Sequence, residues 1–221
     1  LQGITGLAVE GLFTHFSTAA SADQTYALDQ IAKFDEVVEA LRLARACPPI
    51  LHAANSAAAL TLPAARYDLV RIGIAMYGLH PSDDAPCPAD FQPALAWKTT
   101  IAQVRILPPG HAVSYGNEYV TRGRERIAVI PAGYADGLRR GAPNEALIGG
   151  RRAPVVGRVC MDQTMLNITD MPEVKIGDEV VLIGRQGEAA ITAEDVARRW
   201  ATINYDVVTG IGARVPRLFV A

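Results

Sequence analysis

Only three cysteines, Cys47, Cys87 and Cys160, occur in the 221 residues, an odd number with no C-x-x-C spacing. That argues against a disulfide framework and against a structural zinc site, and it predicts free thiols in a reducing cytoplasm. No apolar run approaches the ~18 residues that a membrane span needs, and Leu1 does not open a signal peptide with a basic start and apolar middle. Charge of one sign is also missing: 21 basic against 23 acidic residues leave a formal charge of -2, which gives no footprint for nucleic acid or an acidic membrane. Internal repeats and low-complexity stretches are absent. The opening residue is not Met, which raises the expectation that the true N-terminus lies upstream.

What is present is a 50% hydrophobic chain, long enough for one large domain or two modest ones. "VEGLFTHFS" (9–17) reads as a buried strand, and "SADQ" (21–24) as a capping-box-like helix start with Ser21 at the cap. Ile31, Phe34, Val38 and Leu41 form an apolar stripe at helical spacing that ends near Cys47-Pro48-Pro49. "ILHAANS" (50–56) predicts a second strand, "AAALTLPAA" a short helix broken by Pro63, and "LVRIGIAMYG" (69–78) a third strand. Strands alternating with helices at these intervals imply parallel pairing through right-handed crossovers.

The stretch "HPSDDAPCPADFQP" (80–93) has four prolines and no periodicity, so a linker is expected there, with domains at 1–84 and 85–221. Beyond it, short strands are predicted near 95–107, 126–132, 153–159, 163–168 and 178–183, and a helix at 193–201 capped by Thr192 with Asp195. The fold class expected is α/β followed by a mainly β domain.

Polar residues collect at the ends of the three predicted parallel strands: Thr14 and His15, then His52, Asn55 and Ser56, then Arg71 ahead of Gly73 and Ile74. In a (β/α) barrel such ends form the working face, and phosphate is often held by the loops after the last strands. Ser56 opens a short helix, and Gly73 would let the backbone approach an anion closely, so a phosphorylated cofactor suits the pattern. Taken singly, each residue has a plainer reading, as a satisfied histidine or a salt-bridge arginine. Together they would leave a barrel mouth polar to no purpose.

In the second half, "VSYGNEY" (113–119) reads plainly as a hairpin with one aromatic packed on each side. "PAGYADG" (131–137) and "VGRVCMDQTM" (156–165) contain Tyr134, Met161 and Asp162. Cys160 has no evident base beside it, which disfavours a thiol nucleophile. Met161 is ordinarily a core residue, although its backbone N–H would be available at a bulged strand edge. Tyr205, expected in an extended stretch before Gly210 and Gly212, is a candidate hydroxyl donor.

"GLFTHFSTA", "HAANSAA", "RIGIAMYG", "VSYGNEY", "PAGYADG", "GRVCMDQ" and "INYDVVTGIGARVPR", in that order, closely resemble the alanine racemases that use pyridoxal 5'-phosphate. The resemblance runs over essentially the whole chain. It implies a (β/α)8 TIM-type barrel followed by a β-rich domain, with only the last three barrel units, strands six to eight, inside this chain. It also implies interconversion of L-alanine and D-alanine, in a homodimer whose active site lies at the subunit interface.

By resemblance, His15 would lie against the pyridine ring. Ser56, the backbone of Gly73 and Ile74, and Tyr205 would bind the phosphate, with Asn55 beside them. Arg71 would donate to the pyridine nitrogen, supported by His52. Tyr115 would be one catalytic base, Met161 would meet the substrate carboxylate through its N–H with Asp162 adjacent, and Tyr134 would line the entrance. Inversion needs a base on each face of Cα, and a phenol with a reference pKa of ~10 needs a nearby cation to favour its charged form. Two family residues have no counterpart here: the lysine that forms the Schiff base, which is also the second base, and the arginine that neutralises the carboxylate. Lys33, Lys98 and Lys175 stand in the wrong contexts, so these 221 residues alone are expected to be inactive. Ile72 stands where many relatives carry proline. Competing readings are a serine or broad-specificity racemase of the same fold, a pyridoxal phosphate carrier barrel, which would lack the β domain, and a degenerate module kept for interaction.

Overall fold

The structure is a computed structural model that describes residues 4–220. It separates into two compact units, one up to Ala94 and one from Leu95. In the first unit, β1 (Gly11–Phe13) precedes α1 (Thr25–Leu43) and β2 (Ile50–His52), and the two strands pair in parallel with Gly11 beside Ile50 and Phe13 beside His52. The apolar stripe turns inward as expected: Ala27, Ile31, Phe34 and Val38 are the buried face of α1. Ser21 is not its cap. The chain turns first, with the Ser21 N–H on the Thr18 carbonyl, and the Asp23 carboxylate then takes the Thr25 N–H at 2.9 Å, so the helix begins three residues later than the Ser21 signal suggested.

Asn55 caps α2 (Ser56–Thr61), its side-chain oxygen accepting from the Ala58 N–H at 3.0 Å, and the helix stops ahead of Pro63. The third expected strand is only partly formed. Residues 68–71 run parallel to β2 through an isolated bridge between His52 and Leu69, with N–H bonds from Asp68 to Leu51 and from Arg71 to Ala54. Gly73, at φ -112 and ψ -96, then leaves the extended region, and Ile74–Tyr77 form a 3-10 turn. The described residues therefore hold two short parallel strands and a bridged third segment rather than three full strands. Much of the core between them is alanine: Ala27, Ala53, Ala57 and Ala58 pack with Phe16 and Leu62, and small side chains let helix and strand backbones approach closely.

The proline-rich stretch is packed rather than loose. Asp84 accepts from the Ala22 N–H at 3.0 Å, Ser82 donates to the Ala20 carbonyl, and Ala85 and Cys87 are buried.

The second unit opens with β3 (Trp97–Thr100) and β4 (Gln103–Leu107), which belong to different sheets. The chain changes sheets at Ile101, fully buried, whose N–H and carbonyl bond to residues 178 and 177 while Ala102 bonds to Val129. A small hairpin, β5 (Ala112–Val113) with β6 (Tyr119–Val120), carries the tyrosine turn. After β7 (Glu125–Ile130), β8 (Glu145–Ile148), β9 (Arg151–Pro154), β10 (Thr164–Asn167), β11 (Glu179–Gln186) and β12 (Ala189–Ile191), the sheets are complete: β10-β7-β4 antiparallel, and β12-β11-β8-β9 with β3 on the other side of β11. Helix α3 (Ala193–Arg199) has the expected capping box, Thr192 and Asp195 bonding reciprocally.

Tyr205 lies in α4 (Asn204–Thr209), not in an extended stretch. The β-branched pair Val207-Val208 favours extension, but Val207 is buried to 1% exposure and Asn204 is anchored by the Glu194 carboxylate at 2.8 Å, so tertiary packing overrides local preference. Among the described residues no helix is long and apolar enough to cross a membrane.

Candidate active site

In the first unit the polar residues converge on one guanidinium. Arg71 Nη1 reaches His52 Nδ1 at 2.9 Å and the His52 carbonyl at 3.3 Å. Its Nη2 reaches the carbonyls of Thr14 at 2.9 Å and Ala53 at 3.0 Å and His15 Nδ1 at 3.0 Å. A guanidinium has no acceptor atom, so both imidazoles must present an unprotonated Nδ1, which assigns both rings as neutral with the proton on Nε2. The Phe13 ring closes the arrangement, stacked on His52 with centroids 5.3 Å apart and 5.4 Å below the Arg71 carbon. Among the described residues nothing accepts from Arg71 Nε–H, which leaves one fixed, charged donor for a ligand.

Next to it, Ser56 Oγ accepts from the Gly73 N–H at 2.9 Å and, more weakly, from Ala75 at 3.4 Å. Ser56 is 4% exposed, so its hydroxyl proton is left to point at whatever occupies this corner, beside an Ile74 N–H that has no backbone acceptor among the described residues. A Cβ on Gly73 would come no nearer than 4.0 Å to Ser56 Oγ, so the backbone is open on that side. These donors suit a phosphate. Asn55 uses its side-chain oxygen to cap α2.

In the second unit three segments run together. The Tyr134 and Ala135 N–H groups bond to the carbonyls of Cys160 and Met161 at 3.0 and 2.9 Å, and a Cβ on Gly133 would sit 2.3 Å from the Cys160 oxygen, so only glycine allows this approach. Buried Asp136 secures the loop by accepting from the Gly133 N–H at 2.8 Å and pairing with Arg214 at 2.8 Å. The tyrosine turn joins them: the Ser114 hydroxyl donates to the Arg158 carbonyl, and the Arg158 guanidinium covers Gly116 and pairs with Glu118, which holds that carboxyl below its ordinary value.

Three large side chains on these segments are exposed: Tyr115 at 67%, Met161 at 57% and Tyr134 at 42%. Met161 is thus not a core residue, and no carbonyl among the described residues accepts from its N–H. Asp162 is exposed without an ion pair in that same set. Tyr119 is the opposite of Tyr115. Its hydroxyl donates to buried Glu125 and accepts from Asn167 at 3.0 Å, and burial followed by the Glu125 bond pushes its pKa up. Cys160 Sγ lies 3.5 Å from Ser114 Oγ and 3.7 Å from the Arg158 carbonyl, with no base beside it. Tyr205 is half-buried on α4.

The sequence pattern did not reveal Ser114, Arg158, Asp136 or Arg214. No spacing rule links Asp136 to Arg214, and only φ values mark Ser114. Lys33 and Lys98 behave as surface ion-pair residues, with Asp29 at 2.7 Å and with Glu179 at 3.0 Å.

Residues 1–81 match the model of the alanine racemase N-terminal domain and residues 94–219 that of the C-terminal domain. The chain is 46% identical over 219 residues to an alanine racemase of Halothermothrix orenii, covering 98% of this chain and 58% of the relative. It is 48% identical over 213 residues to an alanine racemase of Symbiobacterium thermophilum, covering 96% and 56%. Among solved structures, the alanine racemase of Bacillus anthracis with bound L-Ala-P superposes with a TM-score of 0.91 at 43% identity, covering 96% of this chain and 55% of that one. The Clostridium difficile alanine racemase in complex with cycloserine gives 0.87 at 40% identity, covering 94% and 55%. The chain thus spans a little over half the length of the relatives it matches, and with both domain models matched it belongs to the alanine racemase family.

Proposed function

We propose that these residues serve the interconversion of L-alanine and D-alanine with pyridoxal 5'-phosphate, in a homodimer whose active site combines the first unit of one subunit with the second unit of its partner. The observation that carries this reading is the Arg71 cluster, a positively charged donor held by two neutral imidazoles beside a buried serine hydroxyl and an unpaired backbone N–H.

The donors present fit the cofactor. Ser56, the backbone at Gly73 and Ile74, and Tyr205 would hold its phosphate, His15 would lie beside the ring, and Arg71 Nε–H would donate to the ring nitrogen. When bound, pyridoxal phosphate acidifies the Cα proton of an attached amino acid. Arg71 does not readily give up its proton, so it would donate a hydrogen bond to the ring nitrogen without protonating it. His52 holds that guanidinium in place. Tyr115, on one face, would take or return the Cα proton. The Met161 N–H would meet the substrate carboxylate, and Tyr134 and Asp162 would line the approach. The lysine that tethers the cofactor and the arginine for the carboxylate would come from outside these 221 residues, so the segment by itself is inactive.

The test is to follow loss of optical rotation of L-alanine with the complete protein that carries this segment. Tyr115→Phe should lower turnover about 10²- to 10⁴-fold. A variant that kept the full rate would remove the assignment of the base.

A further inference from the structure

Ser114 has φ 67 and ψ -175, a region that essentially only glycine populates. Gly116 at φ 78 and Asn117 at φ 50 follow, so three of the four residues 114–117 have positive φ, and Tyr115 is enclosed by them. Glycine and asparagine tolerate this backbone, whereas a serine does so only under constraint. The constraint is visible. Ser114 Oγ donates to the Arg158 carbonyl at 2.6 Å. Gly157, at φ 68, leaves the gap that makes this possible, since a Cβ there would lie 2.6 Å from the Val113 carbonyl and 2.8 Å from Ser114 Cβ. The residue that accepts the bond through its backbone also lays its side chain over Gly116 and pairs with Glu118. Three residues further on is Met161.

We propose that Ser114 is a positioning residue: its bond to the Arg158 carbonyl holds the strained turn that aims Tyr115 and locks that turn to the loop carrying Met161. The proposal rests on the reading of Tyr115 as a base. Glycine at 114 would accept the same backbone without strain, so what serine adds is the hydroxyl clamp; its loss lets the turn relax toward ordinary φ values in Ser114→Ala, or range over the many that glycine allows in Ser114→Gly, and swings the phenol. A displacement of about 1 Å at a reacting group can lower a rate on the order of 100-fold.

The experiment uses the complete, pyridoxal phosphate-loaded protein, with Ser114→Ala, Ser114→Gly, Tyr115→Phe and the two double variants. Both Ser114 variants should lose kcat roughly 30- to 100-fold, with KM for alanine, the cofactor absorption band and the thermal midpoint little changed. In the Tyr115→Phe background the same changes should have less than about a twofold further effect, because a residue that acts through Tyr115 has nothing left to act on. Should Ser114→Ala fail to fold, Ser114→Gly, which carries no strained Cβ, supplies the kinetic reading. Full kcat in Ser114→Gly while Tyr115→Phe is impaired overturns the clamp and leaves the base standing. Multiplying effects in the double variants overturn it too, by making Ser114 merely structural. Full kcat in Tyr115→Phe overturns both.

Discussion

The two units fix their clustered functional groups by opposite means. In the first, two imidazoles and three carbonyls converge on Arg71, and the scaffold around them is largely alanine. In the second, the scaffold is mostly backbone against backbone: Gly133 on residues 160 and 161, Gly157 on Val113, and exposed side chains that project from loops fixed in this way. A site built on a converging charge fails when the charge is removed. A site built on backbone proximity fails when a methyl group is added.

Removing Arg71 should therefore have the largest effect. Arg71→Ala deprives two imidazoles and three carbonyls of their donor, and we expect activity to fall by about 100-fold or more with cofactor affinity weakened, measured by turnover and by cofactor titration. Arg71→Lys should recover little, since one ammonium cannot span both Nδ1 atoms in the geometry of a planar fork.

In the second unit the matching change is an addition. Gly133→Ala puts a Cβ 2.3 Å from the Cys160 carbonyl oxygen, and the backbone must separate at a cost of about 3 kcal/mol, read as a lower urea midpoint. If Gly133→Ala were neutral while Arg71→Ala unfolded the protein, the contrast between the two units would be reversed.

Two smaller effects sharpen the picture. Glu125, below the hairpin, accepts from Tyr119, Asn167 and the Arg122 N–H; the Tyr119 bond, foremost, holds its carboxyl below the ordinary value. A folded-state pKa below the unfolded one gives stability that is present above the unfolded value of ~4.3 and lost as pH falls through the folded value. Glu125→Gln should lower stability by about 1–2 kcal/mol at neutral pH, and should flatten the acid limb of the stability–pH curve. Last, Thr192→Ala removes one half of the α3 capping box, for a loss of about 1 kcal/mol by thermal melting.

Much of this was legible beforehand because it rests on local rules. The Ile31–Phe34–Val38 stripe, the Thr192–Asp195 box and the Pro63 break each depend on residues within a turn or two of one another, and each is found where expected. Ser21 failed as a cap because Asp23, two residues before Thr25, offers its carboxylate to the first helical N–H, and two local signals of similar strength cannot be ranked without the turn between them. Tyr205 failed because burial of Val207 outweighs the preference of a β-branched pair. The hairpin expected over 113–119 is found as β5 with β6, whereas β8 and β12 went unread, being four and three residues long, too short for an alternation to show.

By itself the sequence determined which residue types stand where, and so the helix faces, the caps, the family and the set of polar residues brought into play. Only the tertiary structure decided that His15 and His52 share one guanidinium, that Met161 is exposed, and that Ser114 holds a glycine conformation with its hydroxyl on a carbonyl 44 residues away. The reason is range: propensity and periodicity act over a few residues, whereas hydrogen bonds and steric gaps depend on where distant backbone finally comes to rest.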